Sequence, residues 1–439
     1  MIHVAILIPT LDRIGGAESQ VLLLAEGLAL RGWRVTLIAL SGESTAVSEN
    51  MSEGMSDCKR QRLIAAGVCM ISLGMRKAWI DPSGWMRYLR WKREFRPDIA
   101  HAHLSHAVFF TRWVRLFSPI RLVVETIHTT RAASPRDRIV TRLSNWLSDR
   151  TTCVSAAVAE SVLRASTVPA QKLSVLANGV EFGLRKRNCS AANLDQSSDE
   201  ATFRWLAIGR LAPVKDYPTM LLAFASIVKR AWSKGRTAPR LTIVGSGPEE
   251  SALQELASRL GIAKQMELAG FQWDVQPYLA DADAFVLSSR WEGLPIGVLE
   301  AQAASLPVVA TDGPGTAQAM IDGKTGFLVP VGSADLLSEA MAKVMEMPCC
   351  EREQMGETGR HFVAYHFSVD ATLDQWENLY HDLLATHPVP TRWARARLTR
   401  RVAGVFLKAV SASGFVHSAA GIEGSIRKQA IRKEHDPGK

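Results

Sequence analysis

Two doubly wound α/β domains, each built on a parallel sheet flanked by helices, are predicted by this sequence of 439 residues. Three observations predict them. Short β-branched runs alternate with helix-length segments, the mark of parallel strands joined by crossover helices. The alternation stops at a polar stretch near residue 185 and then restarts. The chain also exceeds the length that one hydrophobic core usually organises. The two Rossmann-like domains, expected at residues 1–183 and 201–369, would face each other across a cleft at the carboxyl ends of their strands, where α/β proteins hold ligands.

The first domain opens with a strand at Val4–Ile8, a helix near Ala17–Arg31 and a strand at Val35–Leu40. Further strands are expected at Ile99–His103, Leu122–Ile127, Thr151–Val154 and Leu173–Leu176, and Asn178-Gly-Val marks a turn. Residues 184–200 carry Asn, Ser and Asp without apolar periodicity, so an exposed linker is expected there. The second domain restarts with strands at Phe203–Ile208, Leu241–Val244, Met266–Ala269, Ala284–Leu287, Val308–Ala310 and Gly326–Val329. Apolar periodicity at Asp370–Leu384 predicts a closing helix over 370–386, followed by a basic tail over 387–439.

The formal charge of +9 is unevenly placed, because Thr391–Lys439 holds eleven basic residues against three acidic ones. The body is nearly balanced, which argues against nucleic acid as its partner. No stretch approaches the roughly 18 consecutive apolar residues of a membrane span, and the N-terminus reads as a strand rather than a leader. The six cysteines show no metal or CxxC spacing, so reduced thiols, no disulfides and a cytoplasmic setting are expected. Two segments point to peripheral contact with an anionic membrane surface, at the inner face of the cytoplasmic membrane. Trp85–Phe95 forms a basic amphipathic helix that either lies on lipid or packs on the first sheet. In the tail, Trp393, Leu398, Val402, Val405, Phe406 and Val410 recur at helical spacing among arginines.

The strongest chemical signal is Arg290-Trp-Glu-Gly-Leu-Pro-Ile-Gly-Val-Leu-Glu-Ala, which follows a strand and opens a helix. Gly293 permits close backbone approach, Pro295 suits the first helical position, and the free amides that follow make an anion site. Glu300, one to two turns inside, is placed to accept hydrogen bonds from sugar or ribose hydroxyls. Taken alone, the segment fits a capped surface helix with two solvated glutamates equally well. After the first strand of this domain comes Gly209-Arg-Leu-Ala-Pro-Val-Lys-Asp, where Arg210 and Lys215 could clamp a diphosphate and stabilise it as it departs. Two solvated loop cations are the plainer alternative.

Gly209-Arg-Leu-x(3)-Lys, Val244-Gly-Ser-Gly-Pro and Glu292-Gly-Leu-Pro-x(4)-Glu-Ala, in this order, resemble the retaining GT-B glycosyltransferases of family 4, the Glu-x(7)-Glu group. Gly15-Gly-Ala-Glu, Pro97-Asp-Ile-Ala-His-Ala-His, Thr126-Ile-His-Thr and Asn178-Gly-Val extend the likeness over about residues 1–385. The resemblance implies a GT-B fold and transfer of a sugar from a nucleotide-diphosphate donor to a glycan or lipid-linked acceptor, with retained configuration, in polysaccharide or glycolipid assembly. It implies that Arg210 and Lys215 hold the diphosphate, Glu300 the ribose, and Glu292 with the Gly293–Leu294 backbone the transferring sugar. Gly209, Gly245, Gly247, Phe271 and Pro295 join the donor site, and Gly15, Gly16 and His128 border the acceptor. His128, Arg210, Lys215 and Glu292 become the catalytic candidates, with no cofactor and no metal. One departure is Ser288-Ser-Arg-Trp, which replaces a proline often found before the first glutamate. The alternatives are a GT-B-type epimerase or phosphorylase-like enzyme, and a silent sugar-nucleotide-binding scaffold.

Rival motifs are weaker. Asp281-Ala-Asp283 has a metal-binding spacing but precedes its strand, at the end away from the crevice, and is expected to cap. Gly245-Ser-Gly247 lacks the third glycine of a dinucleotide fingerprint, and Glu249-Glu250 would repel a pyrophosphate. Gly323-Lys-Thr has Gln318 where a P-loop needs glycine. His101, His103 and His106 have no carboxylate or cysteine to complete a ligand set, so structural hydrogen bonding is expected of them.

Overall fold

The computed structural model describes residues 1–11, 15–42, 57–76, 81–130, 134–183 and 202–387. The expected linker and all but the first residue of the basic tail lie outside them. In the first domain the strands are β1 (His3–Ile8), β2 (Arg34–Ala39), β3 (Cys69–Ser72), β4 (Ile99–His103), β5 (Leu122–Ile127), β6 (Arg150–Cys153) and β7 (Leu173–Val175). They pair in parallel in the order β3-β2-β1-β4-β5-β6-β7. Helices α1 (Gly16–Leu30), α2 (Asp57–Ala65), α3 (Pro82–Phe95), α4 (Leu104–Phe117), α5 (Pro135–Ser144) and α6 (Ala156–Arg164) make the crossovers. Every residue of β1 and β4 is buried, as expected of central strands covered on both faces.

The second sheet contains β8 (Arg204–Ile208), β9 (Arg240–Val244), β10 (Met266–Gly270), β11 (Ala284–Leu287), β12 (Val308–Thr311) and β13 (Gly326–Val329), in the order β10-β9-β8-β11-β12-β13. Its helices are α7 (Tyr217–Ser233), α8 (Glu250–Leu260), α9 (Gln276–Asp281), α10 (Ile296–Ala303) and α11 (Ala334–Glu346). Strand order reverses between β1 and β4 in one sheet and between β8 and β11 in the other. Such switch points open a crevice at the strands' carboxyl ends.

Two long helices, α12 (Cys349–Phe367) and α13 (Val369–Thr386), then tie the sheets together. α13 crosses back to the first domain, where Leu373, Trp376, Tyr380, Leu383 and Leu384 join the core around β1, β2 and α1. Arg31, the residue after α1, holds Asp370, Asp374 and Glu377 of α13 at 3.1, 2.5 and 2.7 Å. At the crossing, the Val180 N–H donates to the Phe367 carbonyl at 2.9 Å.

Arg112 of α4 and Glu125 of β5 form a buried pair, joined at 2.5 and 2.7 Å. Arg112 also donates to the Thr141 carbonyl and Ser144 Oγ, both at 2.9 Å, fixing the end of α5. Removing one partner strands a buried charge, so Glu125→Ala should cost about 3–5 kcal/mol of stability. Chemical denaturation measures this, and an unchanged midpoint would show that the pair does not hold α5 in place.

The structure decides one open alternative and corrects two expectations. α3 packs on the first sheet rather than lying on lipid: Tyr88 and Trp91 are buried there, Arg87 donates to the carbonyls of Leu73 and Gly74, and Lys92 donates to those of Ser118 and Pro119. Amphipathicity alone does not say whether the apolar stripe meets core or lipid. Cys58, Cys69, Cys153 and Cys350 are free, but Cys349 is disulfide-bonded. Sequence spacing could not reveal that pairing, because a disulfide depends on proximity in space. Pro295 is the residue before α10 and Ile296 its first helical position, one place later than expected.

Candidate active site

The β8–α7 and β11–α10 loops leave the two strands that flank the second switch point, so strand order brings them side by side. Lys215, in a short turn at Pro213–Lys215, reaches Glu292 with Nζ 2.5 Å from Oε1. Ser289 Oγ donates to the same carboxylate oxygen at 2.5 Å. Ser288 Oγ donates to the Lys215 carbonyl at 2.7 Å, the Arg290 N–H donates to the Val214 carbonyl at 2.8 Å, and Arg290 Nε lies 3.3 Å from Asp216 Oδ2. These contacts stitch the loops together. The two serines that stand where the family often has proline therefore position the lysine and the glutamate. Sequence reading noted them only as a departure, although two hydroxyls just before Glu292 were the available signal. Asp216, with φ 48°, was missed altogether.

Gly209 follows β8 and is held by Tyr217, whose hydroxyl donates to its carbonyl at 2.9 Å. Arg210 is exposed and has no side-chain hydrogen bond or ion pair among the described residues. A Cβ on Gly245 would lie 2.0 Å from the Gly209 carbonyl oxygen, and one on Gly247 would lie 2.2 Å from that of Leu211. These glycines let the β9 loop pack against the Arg210 loop. Phe271 follows β10 at the sheet edge, exposed and edge-to-face with Trp273 at 5.0 Å. The structure gives it no contact with Lys215 or Glu292.

No side chain caps the start of α10. Its first turn therefore offers free amide donors and the positive end of the helix dipole. Leu294 and Pro295 are buried beneath it. Glu300, half-buried in α10, has its pKa raised to about 7, first by burial and then by the charge of Glu181. Burial also works against the charge of Glu181 itself, but Arg62, at 2.6 Å, and Lys59 outweigh it and hold that carboxyl below its usual range.

The first domain closes the opposite wall. A Cβ on Gly293 would lie 2.0 Å from the His128 carbonyl oxygen, so only glycine admits this approach. Ser155 Oγ donates to the Gly293 carbonyl at 2.5 Å and Thr130 Oγ1 to that of Glu292 at 3.2 Å. Gly16 opens α1 within reach of Ile296 at the start of α10, a Cβ there lying 3.5 Å from Ile296 Cγ1, while Gly15 N–H is capped by Glu18 at 3.0 Å. His128 follows β5 and shares a 3.0 Å hydrogen bond, Nε2 to Nδ1, with His103 at the end of β4. Burial lowers the pKa of His128 to about 4, so it is neutral at pH 7. Its Nδ1 and His103 Nε2 are out of solvent and unpaired, beside a small cavity that Gln20, Asn178 and Trp376 also line. His103→Phe should lower kcat more than it raises KM, because it frees the His128 ring, and His103→Asn should restore part of the loss. Equal kinetics in both variants would remove His103 from the site.

The rival motifs are accounted for. Asp281 and Asp283 bind Arg204, at 2.5 Å to its side chain and 2.9 Å to its N–H, at the amino end of β11. His101 is buried between Tyr380 and Thr126, 2.7 Å from each, and His106 is exposed. Gly323 lies in a turn that Thr325 Oγ1 closes by accepting from Ile321 N–H at 3.0 Å.

Residues 14–183 match the family described as Glycosyltransferase Family 4, and residues 195–362 match Glycosyl transferases group 1. The chain belongs to the family 4 glycosyltransferases of the GT-B fold. This glycosyltransferase is similar to the lipopolysaccharide core biosynthesis glycosyltransferase LpsE of Rhizobium meliloti, 31% identical over 45% of this chain. That match spans about half of the relative, 53% of its length. It is also similar to the UDP-Gal:alpha-D-GlcNAc-diphosphoundecaprenol alpha-1,3-galactosyltransferase of Escherichia coli, 25% identical over 65% of this chain and 76% of the relative. The crystal structure of Anabaena HepE in complex with UDP and glucose superposes with a TM-score of 0.70 at 17% identity, covering 87% of this glycosyltransferase and all of that chain.

Proposed function

We propose that this chain transfers a glycosyl unit from a nucleotide-diphosphate sugar, held by the second domain, to a glycan or lipid-linked acceptor at the first. The observation that carries this reading is the cluster of Lys215, Glu292 and the uncapped start of α10, enclosed by Thr130, Ser155 and His128 of the other domain. Lys215 is paired with Glu292. A bound diphosphate gives its ammonium a stronger partner and frees the carboxylate for the sugar's hydroxyls. Arg210, Lys215 and the α10 amides then stabilise the negative charge that grows on the diphosphate as the bond between the anomeric carbon and its phosphate oxygen breaks. The anomeric carbon bonds to the acceptor oxygen on the face the diphosphate leaves, and the acceptor proton passes to that leaving group, so configuration is retained. These fixed positive groups do the work of a divalent metal, so none is needed. Neutral His128 and Glu292 contact the sugar, Glu300 the ribose, and Gly209, Gly245, Gly247 and Phe271 border the nucleotide. Gly15 and Gly16 border the acceptor.

The Escherichia coli relative is named for a diphosphoundecaprenol acceptor, which supports a lipid-linked acceptor here; a setting at an anionic membrane surface is the further part of the proposal. Among the described residues no helix is long and apolar enough to cross a membrane. A panel of UDP-, GDP- and ADP-sugars, with and without acceptors, tests the reading. Acceptor-stimulated nucleotide release is expected; isomerisation of the donor without acceptor would replace transfer with epimerisation.

A further inference from the structure

α5 is built unlike a helix that packs on a core. It buries no apolar side chain: Ile139, Leu143 and Trp146 are 60%, 63% and 41% exposed. Their spacing of four and three residues aligns them along one side of α5 and the turn that continues it. Arg138 and Arg142, both exposed, each precede one of the aliphatic residues, and the sequence over 135–147 holds three arginines against Asp137. The helix is nonetheless held in place, because buried Arg112 grips the Thr141 carbonyl and Ser144 Oγ. α5 starts seven residues after His128 and five after Thr130, which bonds the Glu292 carbonyl.

We propose that α5 seats the enzyme on an anionic lipid surface, with Ile139, Leu143 and Trp146 entering the headgroup boundary and Arg138 and Arg142 pairing with lipid phosphates. The inference rests on the reading of a lipid-linked acceptor. Apolar and aromatic residues on one side, with arginines flanking them, make the charge and apolar complement of an anionic interface. A folded protein partner fits less well, because three side chains on a ten-residue helix and the turn after it fall short of the roughly 800 Å² per partner of a stable interface. Lipid needs no matching shape. Seated in this way, the mouth of the cleft beside His128 and Thr130 meets the membrane where a lipid-linked acceptor projects. α3 cannot serve, since its apolar side is spent on the core.

Co-sedimentation of the full chain with vesicles of phosphatidylcholine, alone or mixed equally with phosphatidylglycerol, tests the assignment. An Ile139→Ser, Leu143→Ser, Trp146→Ser triple variant should bind the mixed vesicles about tenfold more weakly than the unaltered protein. Arg138→Gln with Arg142→Gln should abolish the preference for phosphatidylglycerol. Both variants should keep transfer to a soluble acceptor while losing transfer to one embedded in vesicles, which separates failure of the seat from failure of the enzyme reading. Triple-variant binding equal to the unaltered protein's would overturn the proposal. So would a lipid-independent change in oligomeric mass, which would assign the stripe to a second copy of the chain.

Discussion

Replacing Lys215 with alanine is expected to lower kcat/KM by about 10²–10³, the loss seen when one donor to a developing anion is removed. The size follows from location. Lys215 Nζ is enclosed with Glu292 where α10 presents its free amides, so its charge acts across little water. Its neighbours keep the loop in place without it, because Ser288 binds the Lys215 main-chain carbonyl and Arg290 binds Asp216. The variant should fold, and steady-state kinetics with the donor turned over fastest would report chemistry rather than stability. Near-normal kcat/KM would remove Lys215 from the leaving-group site.

Glu300 carries the second large expectation, a pH dependence with a definite sign. Its pKa is raised to about 7 by burial and then by Glu181. The folded protein thus binds this proton more tightly than the unfolded chain, so the stability contribution is full below the ordinary value of 4.5 and is lost as pH rises through about 7. Donor binding should run the opposite way, because the ionised carboxylate accepts best from two ribose hydroxyls. Affinity should fall by up to about tenfold per pH unit below 7, and Glu300→Gln should bind more weakly but without this slope. Glu181 titrates lower, held charged by Arg62, so its protonation does not mimic the effect. An identical slope in the variant would place the titrating group elsewhere.

Much of the fold was legible because parallel strands advertise themselves. Ile99–His103, Leu122–Ile127, Ala284–Leu287 and Gly326–Val329 begin and end where β-branched and apolar runs do. β3 escaped notice, being four residues at a sheet edge with no fully apolar run. At the site, Lys215 and Glu292 could be named from their loops, but not their direct contact. That contact depends on β8 and β11 being neighbours, a property of strand order. The roles of Ser155, Thr130 and His103 were hidden for the same reason. Each acts across a domain boundary or between strands, through distances that sequence separation does not carry. The α5 stripe was overlooked in favour of α3, which has the more obvious aromatic and basic pattern, because only burial separates a helix that packs from one left bare.

The diphosphate clamp can be tested most directly through Arg210, which is exposed and carries no structural contact among the described residues, so its loss leaves the fold intact. Calorimetric titration should compare UDP, GDP and ADP with their parent nucleosides, on the unaltered protein and on Arg210→Ala. For the base the enzyme selects, the diphosphate should bind at least about tenfold tighter than the nucleoside, and the variant should lose most of that advantage. Equal affinity for nucleoside and diphosphate, or an advantage untouched by Arg210→Ala, would contradict the convergence of these loops on a departing diphosphate.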